Sequence, residues 1–459
     1  MKPRSYNSTG ADNTRSLASS GRSEYSASLE MRKPSTPRLF ATTFALLTAA
    51  VALAAVFHRI VHYQPIAEHV PEFTALMLLA GALYLIAVWI VLRYHCGPAA
   101  LLIILGAAVV FRLFFLPLSP TLSEDVFRYQ WEGRIERAHI NPYAVYPAMP
   151  ELTWAQDPDH PIKTGRTTSS LYPPFSEVAF SWVHSVAGYK RLFTALDLAT
   201  AGLLLIVLAA ADRPLQNVLI YAWNPAVLIA FSLSGHNDSL AILTLLAAVL
   251  FLIIGRRHAL SIVFLALAFL SKLFPVLLLP VFLKRTRWSY AGVFASVVLL
   301  GYLPFVGARG HLFQGLSNFA AKWEGNDSLF RLFLSAGNSL RQAQLVAGIL
   351  LILLIVYTMK ARLDIFRRGL VILSGLLFLS SNAFPWYFAW IVPFLCFCPS
   401  PALLLMTVTC VLGYSPVVAY AAGGAYANSP LMLTLEYLPV FGLLAYEVAR
   451  HFRRAADKN

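Results

Sequence analysis

The chain has 459 residues, 58% of them hydrophobic and only 13% charged, with a mean hydropathy of +0.64. A soluble fold of this size needs far more polar surface, so the composition excludes an ordinary globular protein and points to a polytopic membrane protein. Lysine and arginine outnumber aspartate and glutamate by 36 to 22, a formal charge of +14. In a membrane chain that excess marks loops facing anionic lipid, and without a basic patch interleaved with aromatics nucleic acid is not an expected partner.

Residues 1–37 are rich in Ser, Arg, Thr, Asn and Pro and poor in large aliphatics, so they are expected to form a disordered tail. Lys2, Arg4, Arg15, Arg22, Arg32, Lys33 and Arg38 place that tail in the cytoplasm by the positive-inside rule. A short apolar run with a cleavage site does not precede the first span, which argues against a removed signal peptide. One transmembrane domain follows over 38–453, and 454–459 form a second cytoplasmic tail.

A spanning helix needs about 20 apolar residues. Spans are predicted at 39–57, 74–93, 99–118, 190–211, 215–232, 239–255, 288–306, 341–360, 367–382, 401–421 and 430–450. Shorter apolar pieces lie at 258–270, 274–283 and 386–397, for a total of about 14 membrane segments. Between the first two short pieces stands Ser271-Lys272-Leu273-Phe274-Pro275, where proline and a charge break a helix. Read as a hairpin, the two pieces leave every basic cluster on one side: Arg256-Arg257, Lys284 to Arg287, Lys360 to Arg362, Arg367-Arg368 and Arg450 to Arg454. Both termini are then inside. Outside lie 119–189, the Gly235 to Asp238 turn, 307–340, the Asn382 to Tyr387 turn and 422–429. The two longest hold Trp131, Trp154, Tyr172, Trp182, Trp323 and Phe330 among polar groups, as ordered interfacial structure does. The four cysteines, Cys96, Cys396, Cys398 and Cys410, lie in or beside apolar runs and suggest neither a zinc site nor a disulfide framework. No metal and no cofactor is expected.

The stretch SEDVFRYQWEGRIERAHINPY (123–143) breaks the apolar pattern. Ser123 suits an N-cap, with Glu124 and Asp125 in the first turn where the helix dipole favours negative charge. Phe127, Trp131 and Ile135 recur at i, i+4, i+8 as an interfacial stripe against lipid or protein. Arg128 has i,i+4 partners in Glu124 and Glu132, and the pairing with Glu124 would leave Asp125 free. Asn141-Pro142 stops the helix. Spacing alone leaves both acids open as capping groups or as catalysts. In SGHNDS (234–239), Asn237 or Asp238 caps the next helix or serves a site, and His236 shares that choice. Lys272 and Arg112 are harder to explain as scaffold. A charge at membrane depth costs about 2.5–3.5 kcal/mol on insertion scales, so each needs an anionic partner or a wet cavity. Either could instead snorkel to the interface or pair with Asp197.

That stretch, followed in order by LYPPF (171–175), WNP (223–225), SGHND (234–238), SKLFP (271–275), GNDSLFR (325–331) and FPWYFAWIVPF (384–394), resembles bacterial polyprenyl-phosphate-sugar-dependent glycosyltransferases of the GT-C superfold, mannosyltransferase-like members above all. The resemblance runs from about Arg112 to Phe394. It implies an all-α, GT-C-type bundle with a large external first catalytic loop carrying interfacial helices. It further implies an inverting hexosyltransferase that moves mannose from a polyprenyl-phosphate donor to a lipid-linked or envelope glycan acceptor at the outer face of a bacterial cytoplasmic membrane. Asp125 becomes the base with Glu124 as its alternate. Lys272, His236, Arg331 and Arg112 become candidates for the donor phosphate. Arg128, Tyr129, Asn141, Tyr172, Asn237, Asp238, Trp386 and Tyr387 form the wider substrate-binding set. Asn141-Pro142-Tyr143 and Tyr172-Pro173-Pro174 also read as rigid turns, and Trp386 with Tyr387 as an interfacial aromatic belt. Relatives carry His before Pro-Trp-Tyr where this chain has Phe384, so another cation must serve the phosphate, or activity is altered. Two other classes stay open: a transporter or lipid flippase, which should show repeated halves with paired broken helices, and a membrane acyltransferase or ligase.

Overall fold

A computed structural model describes residues 36–255, 257–322 and 324–456. The expected tail over residues 1–35, together with Arg256, Trp323 and 457–459, lies outside the described residues. Thr36 and Pro37, assigned to the tail by composition, already belong to the first helix.

The described residues form helices and turns, with one isolated bridge between Gly325 and Asn382. Three helices open the bundle: α1 (Thr36–Val61), α2 (Val70–Arg93) and α3 (Pro98–Phe115). The loop after α3 carries α4 (Asp125–Arg137) and α5 (Pro174–Ser181), and α6 (Val186–Ala210) re-enters the bundle. Then come α7 (Asp238–Ile253), α8 (His258–Ser271), α9 (Leu279–Arg285), α10 (Ala291–Tyr302), α11 (Leu340–Lys360), α12 (Ile365–Leu379), α13 (Pro401–Thr409) and α14 (Pro430–Ala456). Eight helical stretches among the described residues are long and apolar enough to cross a membrane, nine if one bent pair counts as a span. The sequence estimate of about 14 segments therefore counts pieces shorter than a full crossing. Those at 239–255 and 258–270 appear as the 16-residue α7 and the 14-residue α8.

The predicted span at 215–232 is that bent pair, Leu215–Ala222 and Pro225–Leu233, kinked by 56°. The cause is local. Pro225 has no N–H to continue a helix, and Asn224 restarts it, its Oδ1 accepting from the backbone N–H of Ala226 at 3.0 Å. The Asn224 amide also donates to Tyr84 Oη and Thr407 Oγ1, at 3.0 and 2.9 Å, so the kink is pinned on both sides. The break at SKLFP forms as expected. Lys272 is extended, a 3₁₀ turn spans Phe274–Leu278, and α9 follows.

The long loop has its own packing. Ser123 does not cap α4 by the usual bond; its Oγ accepts from the N–H of Asp125, 3.2 Å away. The helix ends at Arg137, before Asn141-Pro142, with His139 in the left-handed region at φ 57°. Its expected interfacial stripe faces protein: Trp131 and Ile135 are buried with Leu152, Ala155 and Ile162, and Phe127 stacks on His160 at 4.5 Å. Gly133 allows α4 to meet the end of α5, since a Cβ there would lie 2.3 Å from the Phe180 carbonyl oxygen.

Arg112 finds its partner inside the bundle. Its Nε and Nη2 donate to the two carboxylate oxygens of Asp197 at 2.6 and 3.0 Å, and Nη1 donates to the Ala222 carbonyl at 2.8 Å. Both side chains are fully buried, so α3, α6 and the bent pair share one charge-assisted fork. Asp197→Leu, which strands the guanidinium, is expected to cost about 3–5 kcal/mol. The double change Arg112→Met/Asp197→Leu removes both charges and should recover most of that loss. Thermal unfolding of the purified variants in detergent measures both.

Candidate functional site

Four breaks in the helical pattern converge at one end of the bundle: the start of α4, the turn before α7, the turn after α8 and the stretch after α12. Asp125 is the first residue of α4 and keeps 33% of its side chain exposed. Its Oδ2 lies 3.3 Å from Nδ1 of His236, whose ring is fully buried. His236 reaches this point through a tight turn. Gly235 takes a left-handed φ of 71°, and the His236 N–H donates back to the Ala230 carbonyl at 2.9 Å. Burial alone would push the Asp125 carboxyl up. His236, by contact and charge, and then Lys272 and Arg128 outweigh it, and the group sits below the usual carboxylate range.

Lys272 occupies the neighbouring position. Its ammonium donates to Asp238 Oδ2 at 3.1 Å and Asn237 Oδ1 at 3.3 Å, and it sits over the rings of Tyr172 and Tyr387 at 5.8 and 5.4 Å. The surrounding groups are themselves held. Trp390 Nε1 donates to Asp238 Oδ1 at 2.7 Å, Tyr129 Oη to Asn237 Oδ1 at 3.2 Å, and the Asn237 amide to Ser176 Oγ at 2.8 Å. Ser176 in turn donates to the Ser271 carbonyl at 2.7 Å, which joins α5 to the end of α8. Asn237 and Asp238 stand at the start of α7 but make no side-chain cap; their side chains serve this network instead.

Aromatic stacks from the second half of the chain close this end. Trp386 lies parallel to His236 at 4.0 Å and to Phe384 at 4.5 Å, one ring on each face. Trp390 is sandwiched in the same way between Phe274 at 4.2 Å and Tyr387 at 4.4 Å. Trp386 is buried with both faces covered, so it is not an open platform for a sugar or a surface belt; its face supports the imidazole. Phe384 is the outer ring of that stack.

The other predicted residues separate from this cluster. Arg128 pairs with Glu132 at 2.8 Å and not with Glu124, because its remaining donors reach the Gly165 and Thr168 carbonyls at 3.1 and 2.7 Å. Glu124 instead accepts from the Thr164 N–H at 3.2 Å. Arg331 pairs with Asp327 one turn away at 2.8 Å, and Arg112 is spent on Asp197. Asn141 makes a turn, with its amide on the Phe305 carbonyl at 2.9 Å and its Oδ1 accepting from the Tyr143 N–H at 3.1 Å. Beyond Arg128, three carboxyls crowd between α4 and α5. Burial raises Glu132 against the opposing pull of Arg128, burial with the Glu132 charge raises Glu177, and the same two causes bring Glu136 up to about 7. Ser176, Trp390 and the hydroxyl pair of Thr164 with Tyr420 at 2.6 Å carry no local signal that singles them out in the sequence.

A family model described as alpha-(1->6)-mannopyranosyltransferase, N-terminal domain, matches residues 39–286, more than half of the chain. That stretch contains Asp125, His236, Asp238 and Lys272 and stops before the aromatic run at 384–394. No curated protein matches the chain.

The Thr164–Tyr420 hydroxyl bond joins the long loop to the segment after α13, on the far side of the matched region. In a double-mutant cycle of Thr164→Val and Tyr420→Phe, the coupling is expected at about 0.5–1.5 kcal/mol. Each single change should also speed limited proteolysis in 157–168, read by mass spectrometry.

Proposed function

We infer the reaction from one premise: the chain belongs to the alpha-(1->6)-mannopyranosyltransferase family and is a multi-pass membrane mannosyltransferase. The reading is that it moves mannose from a polyprenyl-phosphate donor to a hydroxyl of a membrane-associated glycan, with inversion, at the outer face of a bacterial cytoplasmic membrane. The observation that carries it is Asp125, a partly exposed carboxylate held in its ionised form beside the Lys272–Asp238 pair.

The chemistry needs little more. As the acceptor oxygen bonds to the anomeric carbon from one face, its proton passes to Asp125, and the carbon–oxygen bond to phosphate breaks on the other face. The bonding electrons leave with the phosphate, whose charge grows in the transition state and must be met by donors already in place. Lys272 suits that role. An ammonium has three N–H donors, and Asn237 and Asp238 take two, so the third is left for a phosphate oxygen. Asp238 and the rings of Tyr172 and Tyr387 hold the amine in place and aimed. Glu124, tethered to the loop by Thr164, is the alternate base, and Arg128 and Tyr129 shape the substrate side through that loop and through Asn237.

The distribution of charge supports the outer-face assignment. Lys284 donates to the Met359 carbonyl, and Arg368 to the Ala361 and Leu363 carbonyls, each at 2.9 Å, so the basic clusters around 284–287 and 359–368 adjoin. They follow α9 and α11, at chain reversals that alternate with those carrying the site, as the positive-inside rule requires of cytoplasmic loops.

Transfer from a radiolabelled polyprenyl-phosphate mannose to a glycan acceptor tests the reading, and a chain that moves the intact lipid without transferring sugar is a transporter. Asp125→Asn should lower kcat by about 10²–10⁴-fold with donor binding retained. Glu124→Gln should be milder, and a reversal of the two exchanges their roles. Lys272→Met should raise the donor KM and lower kcat together, because leaving-group charge grows in the transition state. In a background carrying Cys96→Ser and Cys398→Ser, Arg166→Cys should react with an impermeant thiol reagent from outside and Arg287→Cys should not. Labelling at 287 alone turns the site to the cytoplasm.

A further inference from the structure

The family resemblance makes His236 a candidate for the donor phosphate, but the geometry points elsewhere. We propose that His236 is a positioning residue for the Asp125 carboxylate, and that Trp386 and Phe384, from the half of the chain beyond the family match, fix its imidazole in that role. The inference rests on Asp125 being the base.

The ring has almost no freedom. It is fully buried, parallel to Trp386 within 16°, and Trp386 is backed by Phe384 within 11°. Phe384 is wedged by the edges of Tyr387 and Tyr426, with centroids 5.8 and 6.2 Å away. From below, the Gly235 turn abuts Lys190, whose Cγ would lie 3.0 Å from a Cβ on the glycine. Lys190 is itself engaged with the Phe115 and Leu118 carbonyls. Among the described residues neither ring nitrogen has an aligned hydrogen-bond partner, and the acid paired with the ring is Asp125, its Oδ2 3.3 Å from Nδ1. A buried imidazole 3.3 Å from a carboxylate and held by stacking can fix one carboxylate oxygen and leave the other turned to an acceptor hydroxyl. To reach a phosphate it would have to abandon both Asp125 and the Trp386 face.

The charged and titratable groups around the pair include Arg128 and Tyr129 on α4, Asp238 on α7, Lys272 after α8, and the hydroxyls of Tyr172, Tyr387, Tyr414 and Tyr426. Lys272 is neutralised by Asp238 and Arg128 by Glu132, so His236 is the neighbour whose interaction is not already shared with another acid. Burial works to raise the Asp125 carboxyl, and contact with His236 is the largest influence opposing it. Without the imidazole the carboxyl titrates at higher pH, and the base is lost earlier as pH falls.

The test compares His236→Phe, which keeps a ring on Trp386 but no nitrogen, with His236→Asn, whose amide replaces the Nδ1 donor. His236→Phe should lower kcat on the order of 10- to 100-fold, the cost of a misplaced reacting group. Its donor KM should stay within about 2-fold, because no ground-state binding contact is removed. The acidic limb of its kcat–pH profile should move to higher pH. His236→Asn should recover part of kcat, and Trp386→Leu should shift the limb in the same direction by less. In an Asp125→Asn background, His236→Phe should add little further loss. A rise in donor KM of about 10-fold with kcat and the pH limb unmoved makes His236 a phosphate ligand and overturns the proposal. So does a full additive loss in the Asp125→Asn background. Full activity of Asp125→Asn alone removes the base itself, a separate failure that reaches the proposed function.

Discussion

In a bundle this apolar, every charge taken out of water must bring its partner with it. Three pairs meet that demand: Arg112 with Asp197, Lys272 with Asp238, and His236 with Asp125. The first pair is wholly enclosed and works as a rivet between helices. The other two sit where helices stop, at the rim, and one member of each keeps some access to solvent. The same electrostatic requirement thus yields a closed fork in the interior and partly open pairs, the candidate site, at the edge. What separates them is the depth at which the pair is buried and whether a donor or acceptor is left over.

The helix breaks exist to bring those rim pairs together. Pro225 behind Asn224 kinks one span, and the SKLFP turn ends α8 with its lysine extended. The loop between α3 and α6 then supplies Asp125 from a helix packed on its own small core and tied down through Tyr129 and Ser176. Because α4 is anchored along its length, the carboxylate at its first residue is placed by a rigid element and not by a free loop.

The site is also shared between the two halves of the chain. The matched family region supplies the acids and cations, and residues beyond it supply the aromatic supports and the Tyr420 hydroxyl. Stacking is suited to that task. A ring pressed against an imidazole or placed under an ammonium restricts its position without consuming its hydrogen-bond donors, which remain for substrate.

Much of this protein was legible in its residues. Hydropathy determined the membrane class and the positions of most long helices, because backbone groups in lipid leave few alternatives. Proline and lysine in SKLFP foretold a break, and the ordered motifs named Asp125, His236 and Lys272. Local pattern could not choose between partners that are equally spaced. Arg128 has Glu124 and Glu132 each one turn away, and only the carbonyls of Gly165 and Thr168, some forty residues on, turn it toward Glu132. Nor does FPWY reveal that Trp386 faces a histidine from another turn, or that Tyr420 meets Thr164. Those contacts join residues more than a hundred positions apart, and the packing of helices in three dimensions alone decides them.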